Sequence, residues 1–260
     1  MTTIPAPSDA AVNVLLAARY EGGAARTMAA GEVAQAIKEG SGLVCAVLTV
    51  KDDAKATQLL RDELGFSPLA VEDALSPIEH PGLHSVCSDH FRSMMTTLQR
   101  LHELGYRRPG LVLNRHHDER LLYRWEAAFQ VYHNHHAAFT WLPPLIVPEI
   151  TKQVFVPWFE SAKPDVVLCH LAEAIEWMQS CGASVPRTHG FCCLNIMVNV
   201  VPCAGLDLQP WLLGVRGVEL LIAQIHRNEY GVPDIPSTTT IPAAWVDGPT
   251  LRHSPSSPVH

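Results

Sequence analysis

The amino-acid sequence predicts an α/β protein: largely parallel sheets with flanking helices, the first lobe incomplete and preceded by a small α/β segment. Three observations predict it. Short apolar runs alternate with stretches of helical period along most of the chain. Glycine or proline stands at most of the junctions between them. The apolar runs are continuous rather than alternating, as in strands covered on both faces, and short links between unlike elements favour parallel neighbours.

Each element has its own signal. Phe91, Met94, Leu98, Leu101 and Leu104 recur every three or four residues and predict one apolar helix face. Gly105 follows, where a helix end favours a residue free to adopt positive φ. Gly110–Leu113 reads as a buried strand. A second helix is expected with Leu121, Leu122, Trp125, Ala128, Phe129 and Tyr132 on one side, and Asp118 in its N-cap region. Leu145–Val147 and Val166–Leu168 read as strands. Leu171, Ala174, Ile175 and Met178 mark a helix that stops at Gly182. Gly190-Phe191 opens another apolar run, and Leu212 to Ile225 is a long helix. The first residues and the tail His253–His260 are polar or proline-rich and expected to be loose.

Composition narrows the function. With 47% hydrophobic and 17% charged residues the chain is globular, and its 260 residues can bury a large core. A formal charge of −7 supplies no basic footprint for neutralising phosphates, so a stand-alone nucleic-acid binder is not expected. No apolar stretch is long enough to span a membrane, and the run Val12 to Ala18 is too short for a signal peptide. Seven cysteines (Cys45, Cys87, Cys169, Cys181, Cys192, Cys193, Cys203) include no CxxC pair. Free buried thiols in a reducing compartment explain them better than a disulfide framework, and a cytoplasmic protein is expected.

From about Leu83 the order of elements resembles the LacI/GalR family of transcription regulators. The likeness rests on Ser88-Asp-His-Phe-Arg-Ser-Met94, Leu101-His-Glu-Leu-Gly-Tyr-Arg-Arg-Pro-Gly110, Lys163-Pro-Asp-Val-Val-Leu168, Cys181-Gly-Ala-Ser-Val-Pro186, Gly190-Phe191, Leu212-Leu-Gly214 and Trp245-Val-Asp-Gly-Pro-Thr-Leu-Arg252. It implies a periplasmic-binding-protein-like (type I) effector-binding domain over residues 82–252. A small effector, a sugar or related compound, would lie beyond the carboxyl ends of the strands. The resemblance further implies a homodimer, no cofactor, no enzyme activity, and DNA contact only through a helix-turn-helix module that this sequence lacks. Ligand contacts carry over to Arg124, His170, Cys192 and Asp89. Arg124 stands where the family has a ligand-binding arginine, and its guanidinium is a rigid fork of donors. His170 and Cys192 replace residues that accept sugar hydroxyls, which points to a less polyhydroxylated ligand. Arg124 reads equally as a solvated helix residue, and His170 as a histidine satisfied by backbone.

Residues 12–81 resemble something else. Ser41–Leu48, Leu60–Phe66 and Pro68-Leu-Ala-Val-Glu-Asp-Ala-Leu75 are similar to the cytoplasmic N-terminal domain of CorA-type magnesium transporters. The alternative function is therefore a transporter fragment fused to a binding domain, including a non-functional rearranged reading frame. A further alternative is that the likeness is chance.

Other chemistry is weaker. The chain has 14 histidines, and Arg115-His-His-Asp118 and His133-Asn-His-His136 invite a metal reading, with hydrolysis through His116, His117, His135 or His136. Neither run has ligand spacing on one helix face, and a solvated surface is expected. Glu72 and Asp73 are adjacent and diverge on a helix. No GxSxG, P-loop or GxGxxG occurs. Cys192-Cys193 reads as redox-active or, preferably, as two structural thiols.

Overall fold

A computed structural model describes residues 12–21, 24–39, 43–50, 57–63, 82–136, 139–199, 201–229 and 233–252. The chain divides into two units, Met1–Ser85 with Pro210–Thr238 and Val86–Gln209 with Thr239–His260.

In the first unit β1 (Val12–Glu21) pairs antiparallel with β2 (Ala24–Thr27) and with β3 (Leu43–Val50). Between β2 and β3, α1 (Val33–Glu39) buries Val33 and Ala36, one helical turn apart. Within the run Ser41–Leu48, the described residues Leu43–Leu48 thus belong to an antiparallel strand. Residues 64–81, which hold the run Pro68 to Leu75, lie outside the described residues.

The second unit carries the parallel architecture. Its elements are β4 (Ser85–Ser88), α2 (His90–Glu103), β5 (Pro109–Asn114), α3 (Arg115–Arg120), α4 (Arg124–His135), β6 (Leu145–Val147), α5 (Lys152–Ala162), β7 (Val166–Cys169), α6 (Ala174–Ser180), β8 (Gly190–Cys193) and β9 (Ala204–Asp207). Then α7 (Pro210–His226) returns to the first unit, where it lies along β3. The chain ends with β10 (Thr238–Ile241) and β11 (Ala244–Val246). The main sheet runs β11-β9-β8-β7-β5-β6, parallel throughout except for the antiparallel edge strand β11. β4 pairs separately with β10.

Strand residues feed two cores in turn, because successive side chains point to opposite faces. Leu111 and Leu113 join Met94, Leu98, Leu101, Trp125 and Phe129 under α2 and α4. Val112, between them, joins Phe155, Phe159 and Met178 under α5 and α6. Each fully buried leucine contributes roughly 1.5–3 kcal/mol. Polar ties fix the strand entrances: Arg107 and Arg108 N–H groups donate to the Asp165 carboxylate at 2.7 and 2.9 Å, and the Arg108 side chain donates to the carbonyls of Lys163 and Ala162. This is the physical content of the Arg-Arg-Pro and Pro-Asp-Val junctions. Gly105 closes α2 at φ +86°, as its sequence position requires.

Two expectations need correction. The helix read from Leu121 is broken: Leu122 and Tyr123 are left-handed (φ +50° and +59°), separating α3 from α4. Asp118 consequently does not cap its own helix. Asn114 does so, accepting from His117 N–H at 3.1 Å, while Asp118 reaches forward to α4. Helix α5 was not anticipated because Pro157 interrupts its pattern. Its buried Phe155, Phe159 and Ala162 nevertheless hold one face.

Gly190 lies against the fully buried Tyr106, whose Oη accepts from Arg252 N–H at 3.0 Å. A Cβ on Gly190 would come within 2.5 Å of that oxygen and 2.8 Å of Leu251. The ring is enclosed and cannot yield cheaply. Gly190→Ala is expected to destabilise the fold by about 1–3 kcal/mol in urea titration.

Candidate ligand-binding site

A strand buried on both faces can present polar groups only where it ends. β4, β5 and β7 end at Ser88, Asn114 and Cys169, and the next few residues after each are Asp89-His90, Arg115–Asp118 and His170. The start of α4, Arg124-Trp125, joins them. Rings meet edge to face through the group: His90 on Trp125 (5.0 Å between centroids), Trp125 on His170 (6.0 Å) and His170 on His117 (5.9 Å).

Local structure places each residue. Asp89 is the N-cap of α2: its Oδ1 accepts from Arg92 N–H at 2.9 Å and its own N–H donates to the Ile241 carbonyl. That cap turns His90 inward, and His90 is only 6% exposed. Asp118 Oδ1 accepts from Trp125 N–H at 3.3 Å at the start of α4, where the helix dipole favours a carboxylate. Arg124, half-buried, is the first residue of that helix. His170 sits on a turn held by Asn199, whose Nδ2 donates to the His170 carbonyl at 2.8 Å and whose Oδ1 accepts from Ala172 N–H at 2.9 Å.

Three polar atoms in this group are buried without a hydrogen-bond partner: His90 Nδ1, Trp125 Nε1 and Asp118 Oδ2. Trp125 and Asp118 are each 1% exposed. Such atoms are rare in folded proteins and each costs about 1–3 kcal/mol when unmet. Burial also governs protonation. It pushes His90 down to about 4, with the Arg124 charge adding to the effect and Asp89 opposing it. Burial pushes His170 down to about 3, helped by His117 and His90. It raises the Asp118 carboxyl to about 6. At neutral pH the two imidazoles are therefore uncharged.

Of the residues expected at the site, the structure brings Asp89, Arg124 and His170 into this group. Cys192 lies elsewhere, fully enclosed in the apolar core of β8 with Leu168 and Ala204 as register partners. Cys193 is equally enclosed; burial raises the Cys192 thiol, and the hydrogen bond with Cys203, together with burial, raises that of Cys193, so neither presents a thiolate. His90, Trp125 and Asp118 were not singled out as site residues. His90 had a signal: it precedes Met94, Leu98 and Leu101 at helical spacing and so belongs to the buried face, whereas Phe91 is 38% exposed. Among the described residues no group of three or more His, Cys, Asp or Glu could hold a metal ion. A concavity of about 300 Å³ lined by Gln130, His133, Asn134 and Trp141 lies farther along α4 and carries no charged group. No helix among the described residues is long and apolar enough to cross a membrane.

The buried groups fix a pH response. His90 and His170, held neutral in the fold, bind protons more readily when unfolded, so stability falls as pH drops below about 6.5 toward 4. Asp118 acts oppositely: its raised value favours the fold as pH falls through about 6. Two imidazoles outweigh one carboxyl. Going from pH 7 to pH 5 is expected to cost about 2–3 kcal/mol in chemical denaturation, and His170→Asn to remove most of that loss.

No family model matches the chain, and no curated protein matches it. Solved structures do. A LacI-family transcriptional regulator from Silicibacter pomeroyi is similar over 78% of this chain and 69% of its own, at 16% identity and a TM-score of 0.53. The lactose repressor bound to the anti-inducer ONPF is similar over 65% of each chain, at 14% identity and a TM-score of 0.51. A ribose-bound LacI-family regulator from Enterococcus faecium aligns over 66% of each chain at 15% identity, with a TM-score of 0.46. The chain spans less than two thirds of the length of the last two. None of these comparisons supports a magnesium-transporter likeness for residues 12–81. The chain therefore has the mixed α/β fold of LacI-family effector-binding domains, with mostly parallel strands and flanking helices.

Proposed function

We propose that this chain is a small-molecule-sensing body of the kind that LacI-type transcriptional regulators carry, and not an enzyme. The observation that carries the reading is the trio of buried, unpartnered polar atoms on His90, Trp125 and Asp118, gathered where β4, β5 and β7 end. Ligands of open α/β sheets bind beyond the carboxyl ends of strands, and a ligand that pairs these atoms relieves a cost the empty fold bears. The lactose repressor, similar in fold, holds the small molecule ONPF. Asp89, Arg124 and His170 complete the contact set. With a charge of −7 the chain itself is a poor match for phosphate backbones, so DNA binding belongs to a separate basic module. A homodimer and a cytoplasmic location fit this reading.

The test is a thermal-shift screen of the full chain against sugars, nucleosides and small organic acids. A ligand at a hundred times its dissociation constant adds roughly 2.7 kcal/mol, or about 5–10 °C in Tm at this size. Trp125→Phe is expected to weaken that ligand about tenfold or more while preserving the fold. If a stabilising ligand binds Trp125→Phe and Arg124→Gln as tightly as the parent, the site lies elsewhere.

A further inference from the structure

We infer that the second unit carries a separate surface site for a neutral saccharide, built from Trp141 and one face of α4. The inference does not depend on the group at the strand ends.

Helical period assembles the site. Gln130, His133 and Asn134 fall at i, i+3 and i+4, so they share one face of α4, and with Trp141 they line the concavity of about 300 Å³. Trp141 lies between α4 and β6, on a segment that buried Phe139 and Leu142 pin to the core. The N–H of Thr140 ties the same segment to the Arg107 carbonyl at 2.9 Å. The Trp141 ring rests on Phe129 (5.8 Å between centroids) and His133 (4.8 Å), yet the residue stays 37% exposed. The indole is thus a platform fixed before any ligand arrives, which lowers the ordering cost of binding.

Chemistry selects the ligand. The lining holds no Asp, Glu, Lys or Arg, so a charged ligand would give up water and find no counter-charge. Each amide offers donors and an acceptor, and the indole nitrogen offers a donor. None of these four side chains has a hydrogen-bond partner among the described residues, and His133 Nδ1 is buried without one. A hydroxyl donates and accepts at once, so neighbouring hydroxyls on a ring match a pair of amides one helical turn apart. The face of an indole is electron-rich and attracts polarised C–H bonds. A pyranose with equatorial hydroxyls presents a flat face of such bonds. A flat aromatic ligand would want cover on both of its faces, whereas a single indole leaves one side to water, where further hydroxyls lose nothing. The volume is at the small end of ligand sites and suits one sugar ring.

The experiment is ligand-observed saturation-transfer NMR on the full chain. The probe is methyl β-glucopyranoside, and the control is sorbitol, an open chain with hydroxyls and no ring. The glucoside is expected to bind with a Kd on the order of 1–10 mM, and sorbitol to give no signal. Trp141→Ala should weaken the glucoside about tenfold or more. Gln130→Ala, an exposed helix position where alanine favours the fold, should weaken it about threefold. Trp125→Phe, which alters the strand-end group, should leave it unchanged. A glucoside signal lost in Trp125→Phe and kept in Trp141→Ala puts the sugar at the strand ends, which overturns the surface site and upholds the proposed function. No glucoside signal, an equal signal from sorbitol, or an affinity unchanged in both Trp141→Ala and Gln130→Ala also overturns it.

Discussion

Strands covered on both faces can offer no polar chemistry along their length, and this constraint governs the whole second unit. Every residue of β7 and β8 is buried, and β5 is buried up to Leu113. Functional side chains are thereby confined to the first residues beyond each strand. The shared parallel direction of β5, β7 and β8 puts those residues on one edge of the sheet. Asp165 and the two arginines before β5 set the opposite edge, where the contacts are structural.

The same edge is where the molecule gives up stability. The first residue of α2 (His90), a residue within α3 (Asp118) and the second residue of α4 (Trp125) each deliver one buried polar atom that the fold does not pair. Replacing such groups by apolar ones is the route to a more stable protein, so their presence marks a site where another demand prevails. Neutral imidazoles at His90 and His170 follow from the same desolvation, which links acid sensitivity to ligand recognition. Left-handed Leu122 and Tyr123 belong to the arrangement: the break they make lets α4 start afresh and aims its N-terminus at Asp118.

Much of the fold was legible. Continuous apolar runs at Gly110–Leu113 and Val166–Leu168 reported strands buried on both sides, and Gly105 reported the end of α2. Helix α5 was hidden by Pro157, and β9 by its brevity and its glycine. The antiparallel β11 at the sheet edge carries no signal of direction. At the site, Arg124 and His170 were reachable through the likeness to regulators, because junction residues keep their place when the elements do. His90 was masked by Phe91, the more hydrophobic neighbour, although the register of Met94, Leu98 and Leu101 selects His90 for the buried face. Trp125 read as core, and it is core. Its function lies in one nitrogen whose lack of a partner no sequence pattern encodes. Cys192 was placed by analogy alone, and its alternation with Phe191 and Cys193 in β8 sends it into the apolar interior.

The account stands on the claim that Trp125 Nε1, His90 Nδ1 and Asp118 Oδ2 need a partner from outside the chain. A crystal structure fine enough to show ordered solvent tests this most directly. It should reveal a water or small molecule at about 2.7–3.2 Å from the indole nitrogen, touching His90 or Asp118 as well. An indole nitrogen donating instead to a carbonyl or side chain of the protein itself would contradict the account.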